Sequence, residues 1–364
     1  MDGLDTDFWR GKRVLLTGHT GFKGSWAALW LSRLGADLTG ISLAPDSEPN
    51  LFSLSAADRG IRSHLIDLRD RDTLRSCVAD ADPEIVIHMA AQPLVRRSYA
   101  HPVENFETNV MGTVHLLDAL RDVRSLDTLL VVTTDKVYEN AEEGQAFRES
   151  DPLGGHDPYA ASKAATEIVV SSYARSFFAG SGVKVATARG GNVIGGGDFS
   201  PDRIVPDVWR AVCAGEPVVL RNPLAARPWQ HVLDCLSGYF TFVRALSEGS
   251  VSVPALNFGP PHDSAPVTVA ELAAAIQSAL GAAKTWRPGN DAGPHEMMTL
   301  GIDSSLARDL LGWRDNLSGY LGIEWLADWY RAFNRREDMR QVTLSQISAY
   351  GELYCADKSR GTSA

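Results

Sequence analysis

Tyr159 and Lys163 are the residues whose types and spacing most directly suggest chemistry. They lie four apart in Asp157-Pro-Tyr-Ala-Ala-Ser-Lys163, a spacing that puts both on one face of a helix. An ammonium beside a phenol favours the phenolate. It draws the tyrosine from its ordinary pKa of about 10 towards neutrality and makes Tyr159 a general base. Tyr-x-x-x-Lys is a common pattern, and a solvated surface pair is the competing reading. The preceding segment favours chemistry. Leu126 to Thr134 reads as a buried strand and runs out into Thr133-Thr134-Asp135-Lys136-Val137-Tyr138. Open α/β sheets carry their reactive groups at such carboxyl ends.

These groups need a platform, and the N-terminal stretch Arg13-Val-Leu-Leu-Thr-Gly-His-Thr-Gly-Phe-Lys-Gly-Ser-Trp26 supplies one. Val14 to Thr17 reads as a parallel strand. Gly18, Gly21 and Gly24 follow with dinucleotide-turn spacing: the first for the tight turn, the second so that backbone can approach a pyrophosphate, the third for close helix packing. Such a pattern also arises by chance in Gly-rich turns. Here a strand precedes it, and Ser25 to Leu34 follows with Trp26, Leu29, Trp30 and Leu34 at helical spacing. The helix N-terminus would take the phosphates, and Thr20, Phe22 and Lys23, between the glycines, are assigned to the same cofactor.

Further strands are expected at Asp37–Leu43, Ser63–Leu68, Glu84–Ala91, which runs into a small-residue turn, and Val183–Thr187. No arginine stands at Ser42-Leu43-Ala44, where a 2′-phosphate would need one, so the cofactor reading is NAD rather than NADP, with Asp46 a displaced ribose handle. Asp67 and Leu68 are placed to touch the adenine; the alternative is that Asp67 caps a helix over 71–78. Ala90 and Ala91 allow a ligand close to backbone. Asn109, inside an expected helix over 105–120, is either solvated or tied to strand ends at the site.

Beyond residue 188 the βαβ rhythm fades. Arg189-Gly-Gly-Asn-Val-Ile-Gly-Gly-Gly-Asp198 reads as a loop, and Arg203, Arg221, Asn222, Arg227 and His231 follow as anchors for a phosphorylated ligand. Asn257-Phe-Gly-Pro, His295-Glu296 and Leu311-Gly-Trp313 suggest short elements of a smaller lobe, and Gly322–Phe333 an amphipathic helix. The expected organisation is an α/β, Rossmann-type doubly wound parallel sheet over residues 1–188 with some later segments returning to it. A smaller α/β substrate lobe over 189–356 and a disordered tail over 357–364 complete it. A formal charge of −10 argues against nucleic-acid binding. Dispersed histidines and four scattered cysteines argue against a metal centre and for free thiols in a reducing, cytoplasmic setting, and no apolar run is long enough to span a bilayer.

With these residues in place, the chain resembles the extended short-chain dehydrogenase/reductase family, also described as NAD-dependent epimerases/dehydratases, and within it the CDP-glucose 4,6-dehydratase group. The resemblance rests on Gly18-His-Thr-Gly-Phe-Lys-Gly-Ser-Trp26, His88-Met-Ala-Ala-Gln-Pro-Leu-Val95, Thr134-Asp-Lys-Val-Tyr-Glu-Asn140, Gly190-Gly-Asn-Val-Ile-Gly-Gly-Gly-Asp198, Arg221-Asn-Pro and Arg227-Pro-Trp-Gln-His231. It implies a redox-neutral lyase. Tyr159, assisted by Lys163, would take the proton of a sugar 4-hydroxyl while NAD, which both residues and Asn109 would also help to bind, accepts the C4 hydride; water leaves across C5 and C6, and the hydride returns to C6. Thr134 would hydrogen-bond the 4-hydroxyl, Asp135 would protonate the departing 6-hydroxyl, and Lys136 would stand in the place of the C5 base. Gln92, Asn192, Arg203, Arg221, Arg227 and His231 would hold the nucleotide sugar. The helices bearing Asn109 and Tyr159, with Val110, Val169 and Tyr173, would form a homodimer interface. The chain departs from the group after Asn140, where Ala141-Glu-Glu-Gly replaces the usual Arg-Glu-Trp. An epimerase would share fold, NAD and the Tyr/Lys pair without needing Asp135-Lys136, and a non-enzymatic dinucleotide sensor would not need Tyr159 and Lys163.

Overall fold

A computed structural model describes residues 6–261, 267–289, 293, 297 and 299–361, with side chains through Cys355. At its centre seven strands run parallel: β1 Arg13–Thr17, β2 Asp37–Ser42, β3 Arg62–Leu65, β4 Ile85–His88, β5 Thr128–Thr134, β6 Lys184–Gly190 and β7 Ala255–Phe258. Their spatial order is β7-β6-β5-β4-β1-β2-β3. The chain winds outward from β1 to β3, then jumps back to β4 on the other side of β1. The crevice at the carboxyl ends of β1 and β4 is therefore the topological switch point, where such sheets bind ligands.

Burial on both faces explains the near-continuous apolar strands. Val14 and Leu16 face one layer and Leu15 the other; Leu130 and Val132 likewise oppose Leu129 and Val131. Each such side chain contributes roughly 1.5–3 kcal/mol when removed from water, more than the spread of local strand propensities. One layer holds helix α1 (Phe22–Arg33), α4 (Val232–Ser247), α5 (Tyr320–Asn334) and α6 (Met339–Gly361), joined through Trp26, Trp30, Phe240, Trp329 and Tyr350. The other holds α2 (Gly112–Leu120) and α3 (Pro158–Tyr173), packed through Leu116, Leu117 and Val170.

Several boundaries differ from the sequence expectation, each for a visible reason. The third strand ends at Leu65 because Asp67 turns back to accept the Arg69 backbone N–H (2.9 Å). The helix expected over 105–120 begins at Pro102 and passes through a π-turn, Glu107–Met111, which carries Asn109. β6 extends to Gly190, two residues into the expected loop, and Asn257-Phe258, expected in the smaller lobe, belong to the edge strand β7 of the main sheet. α6 continues through Gly361, into the stretch expected to be a disordered tail. His295 and Glu296 lie outside the described residues.

The remaining strands are two- or three-residue pairs over the sheet's carboxyl edge. Gln230–His231 runs parallel to Val193–Ile194, and Ala226–Arg227 antiparallel to Val267–Thr268. These pairs bring Arg227-Pro-Trp-Gln-His231 against the glycine loop that leaves β6. No helix among the described residues is long and apolar enough to cross a membrane.

Candidate active site

The turn after β1 is built as the glycines require. Gly18 has φ +78°, and a Cβ there would sit 2.8 Å from the Ala90 nitrogen; one at Gly24 would overlap the Gly18 carbonyl. A Cβ at Gly21 would meet only the Gly18 carbonyl oxygen, at 3.5 Å. α1 begins at Phe22 with no side-chain cap and no acidic residue in its first turn. A helix start left open and positive in this way suits a pyrophosphate. These residues fit a dinucleotide.

Thr17, at the end of β1, fastens the facing β4 turn: its Oγ1 accepts the Met89 and Ala90 N–H groups (both 3.1 Å). Its own proton therefore goes to His88 Nδ1 (2.6 Å), so the His88 Nε2 proton donates to Thr113 (3.0 Å). Burial pushes His88 down to about 3, and it stays neutral. Asn109 is tied rather than solvated. Its amide donates to the Gln92 carbonyl (3.1 Å) and to Ser162 Oγ (2.9 Å), and its Oδ1 accepts the Gln92 N–H (2.8 Å). The loop after β4 is thus bolted to α3, the helix that carries Tyr159.

Thr134 stands between Tyr159 and Asp135. Its Oγ1 donates to Asp135 Oδ1 (2.9 Å), and its hydroxyl draws the Tyr159 phenol downward. Asp135 is 1% exposed, and burial raises its pKa against the opposing pull of Lys136, Arg227 and Lys23. Oδ1 is committed as an acceptor, while Oδ2 has no partner. A proton retained by this carboxyl belongs on Oδ2, as a general acid requires. Lys136 is half-buried beside it.

Tyr159 differs from the sequence expectation. Burial pushes its pKa up to about 12, with Arg203 drawing it down and Asp135 and Asp157 up. Burial outweighs the expected depression, and Lys163 Nζ donates to the Val132 carbonyl (2.9 Å). Burial lowers Lys163 to about 8, with Glu167 raising it and Lys23 lowering it.

Residues 14–254 match the model of the NAD dependent epimerase/dehydratase family. Over 355 residues the chain is 43% identical to CDP-glucose 4,6-dehydratase of Salmonella typhimurium, covering 95% of this chain and 98% of that one. The chain belongs to the NAD dependent epimerase/dehydratase family. It is also 28% identical to a dTDP-glucose 4,6-dehydratase of Xanthomonas campestris, covering 87% and 92% of the two chains. Among solved structures it is similar to the dTDP-glucose 4,6-dehydratase DesIV of Streptomyces venezuelae with NAD bound (TM-score 0.76, 26% identity, 90% and 99% covered). It is likewise similar to UDP-glucose 4-epimerase of Thermus thermophilus in complex with NAD (TM-score 0.75, 27% identity, 87% and 98% covered).

Within this family fold, the expected ligand residues are placed unevenly. Arg227 and Arg203 act electrostatically on Asp135 and Tyr159, and Arg227 is 7% exposed. A Cβ at Gly191, beside Asn192, would stand 2.9 Å from Pro228 and 3.2 Å from Asp135 Oδ2, so the Arg227-Pro-Trp loop lies directly over the acid. Arg221 lies farther out, paired with Asp202 (2.5 Å), which also holds Arg96 (3.6 Å). His231 caps α4, its Nδ1 accepting the Leu233 N–H (3.3 Å). The Gln92 side chain orders its own loop, bonded to Leu94 and Asn105. Thr20 bonds Ser42 Oγ (2.8 Å) and the Leu43 carbonyl. Asp67 is paired with Arg69 (2.6 Å), and Asp70 is the cap of the next helix. Leu68 is buried in the core beneath.

Two features were not visible in the sequence. Arg97 reaches the end of β2 from another element, but Asp46 and Glu104 already hold it (3.6 and 2.8 Å). Tyr239, on α4, lies close enough to act on Tyr159 and Asp135 and accepts from Lys23 Nζ at 3.5 Å. Nothing in its local sequence marks it, because it reaches the site from a helix far along the chain from the Tyr/Lys pair.

Proposed function

We propose that this chain dehydrates CDP-D-glucose to CDP-4-dehydro-6-deoxy-D-glucose. The observation that carries the reading is Asp135: a buried carboxyl held towards its protonated form, with one oxygen unengaged and the other bonded to Thr134, which acts on the tyrosine of the Tyr/Lys pair. An epimerase has no need of an acid there. The 43% identity to the Salmonella CDP-glucose enzyme along nearly the whole of both chains supports the CDP-sugar.

Bound NAD, held by the Gly18–Gly24 turn with Thr20, Phe22, Lys23, Ala90 and Ala91 around it, supplies reversible oxidation at the sugar carbon. The protein's residues move the protons. Tyr159 takes the proton of the 4-hydroxyl, with Thr134 fixing the line of approach and the Lys163 ammonium one helical turn away adding positive charge to the site. Once C4 is a ketone the C5 proton is acidic, and Lys136 stands beside Asp135 to take it. Asp135 gives its Oδ2 proton to the leaving 6-hydroxyl. Arg203, Arg221, Arg227 and Asn192 line the approach with donors suited to a diphosphate.

Four free cysteines fit a reducing, cytoplasmic setting. A homodimer is expected through the α3 side of the molecule. Val169 and Tyr173 pack inward, but Val103 (69% exposed), Met111 (45%) and Ile168 (62%) leave an apolar face with a groove between Pro102, Phe106, Val110 and Ala165. Apolar surface of this kind prefers a partner. Light scattering at micromolar concentration should give twice the chain mass, and Ile168→Glu should give a monomer; a monomeric wild type would overturn this.

The functional reading is tested by incubating the pure protein with NAD and CDP-, dTDP-, GDP- or UDP-hexoses and weighing the products. CDP-glucose should lose one water ahead of the others, and NADP should substitute poorly. CDP-glucose recovered unchanged, or isomerised at constant mass, would sink it.

A further inference from the structure

We propose that the buried pair Glu167 and Arg189 is the positioning device of this active site, fixing the end of β5 that carries Thr134 and Asp135. The proposal rests on the dehydratase reading for its turnover assay alone. Glu167 lies one turn beyond Lys163 on α3, and Arg189 near the end of β6. Their side chains are 4% and 6% exposed.

Each Glu167 oxygen receives two donors. Oε1 accepts from Thr133 Oγ1 (2.5 Å) and Arg189 Nε (3.0 Å); Oε2 accepts from Thr187 Oγ1 (2.8 Å) and Arg189 Nη2 (2.9 Å). The second arm of the arginine donates to the Tyr138 hydroxyl (2.9 Å), which passes its own proton to Asn257 Oδ1 (2.6 Å) on β7. Asn257 in turn donates its backbone N–H to Glu149 (2.7 Å). The network ties β5, β6, β7 and α3 together at the carboxyl edge of the sheet. It holds both sides of Thr134-Asp135: Thr133 before and Tyr138 after.

A fully satisfied buried network rigidifies, whereas removing one partner leaves an uncompensated charge. Thr133 adjoins Thr134, so a shift of the carboxylate is transmitted directly to the Thr134–Asp135 pair. Displacements of about 1 Å at reacting groups cost about 100-fold in rate. The charge acts as well. Lys163 faces Glu167 on its own helix, Lys23 from α1 and His88 from β4, with the Val132 carbonyl of β5 as its acceptor. His88 is neutral, Lys23 opposes the lysine charge, and Tyr159 is a protonated phenol. Glu167, paired with Arg189, is thus the group that opposes the loss of charge on Lys163.

Lys163 is needed charged, so activity is lost as pH rises through its pKa. Glu167→Gln removes the anion and keeps the shape; the basic limb of the kcat profile should move to lower pH and kcat should fall about 10- to 100-fold with KM little changed. A role in stability alone would lower the melting temperature without moving the limb. If the lone Arg189 prevents folding, the pair Glu167→Leu with Arg189→Met replaces both charges by apolar groups of similar size, an exchange that buried ion pairs commonly tolerate. That double variant should melt cooperatively and show the same two changes. A folded variant with wild-type kcat and an unmoved basic limb would overturn the proposal. Wild-type protein that leaves CDP-glucose untouched sinks the dehydratase reading instead. The Lys163 shift is then read by NMR titration of its side chain, and no shift between wild type and Glu167→Gln overturns the positioning role.

Discussion

Tyr159→Phe should stop the reaction before any sugar is oxidised: no NADH absorbance should develop on adding CDP-glucose, and turnover should fall by about 10²- to 10⁴-fold, the usual worth of a positioned general base. The variant loses only one oxygen of the many groups around the cofactor, so NAD titration should stay within a few-fold of wild type. The wild-type rate should also rise with pH, because burial pushes the phenol up to about 12 and the base is the phenolate. The rise should end where Lys163, lowered to about 8, gives up its proton. The residual rate of the Phe variant should lack that rising limb. NADH formation at the wild-type rate would remove Tyr159 from the base role.

The contrast between the expected and observed state of Tyr159 shows what was legible in the sequence. The Tyr/Lys spacing, the strand end Thr134-Asp135-Lys136 and the glycine turn are local patterns, and each occupies the structural position its pattern implies. Six strands of the sheet were legible for the same reason, since two-faced burial writes continuous apolar runs; the seventh, Ala255–Phe258, was not, being a four-residue edge strand far along the chain. The electrostatics were not. Whether Lys163 acts on a phenol or on a carbonyl depends on β5 standing 2.9 Å away, and the sequence spacing is the same in both cases. His231 looked like an anchor from its motif, yet its position at the first turn of α4 makes it a cap. Gln92 and Asp67 were likewise claimed by neighbours two residues on, Leu94 and Arg69. Tyr239, Glu167 and Arg189 enter through elements far apart in sequence, without local spacing to announce them. Glu167 did leave one trace: a carboxylate four residues after Lys163, on the same helix face.

Asp135→Asn should separate the two halves of the reaction. The amide keeps the size of the carboxyl and can still accept from Thr134, but its oxygen-bound proton is gone. Tyr159 and Lys163 are untouched, so C4 should still be oxidised. Without an acid for the 6-hydroxyl, the elimination slows by about 10²- to 10⁴-fold, and no acceptor for the returning electrons forms at C6. NADH should therefore build up on the enzyme in the Asn variant and remain undetectable in steady state in the wild type. The pH dependence has a defined sign. Burial raises the Asp135 pKa, which keeps the acid form populated to higher pH than an ordinary carboxyl, and the elimination should weaken as pH climbs through it. In the Asn variant that weakening should vanish from whatever rate remains. With CDP-glucose deuterated at C4, wild-type product should carry the label at C6 and weigh one water less than its precursor. Label recovered at C4 of an isomerised sugar, together with an Asn variant as active as wild type, would replace the dehydratase reading with that of an epimerase. Asp135 would then be an acid with no leaving group to protonate.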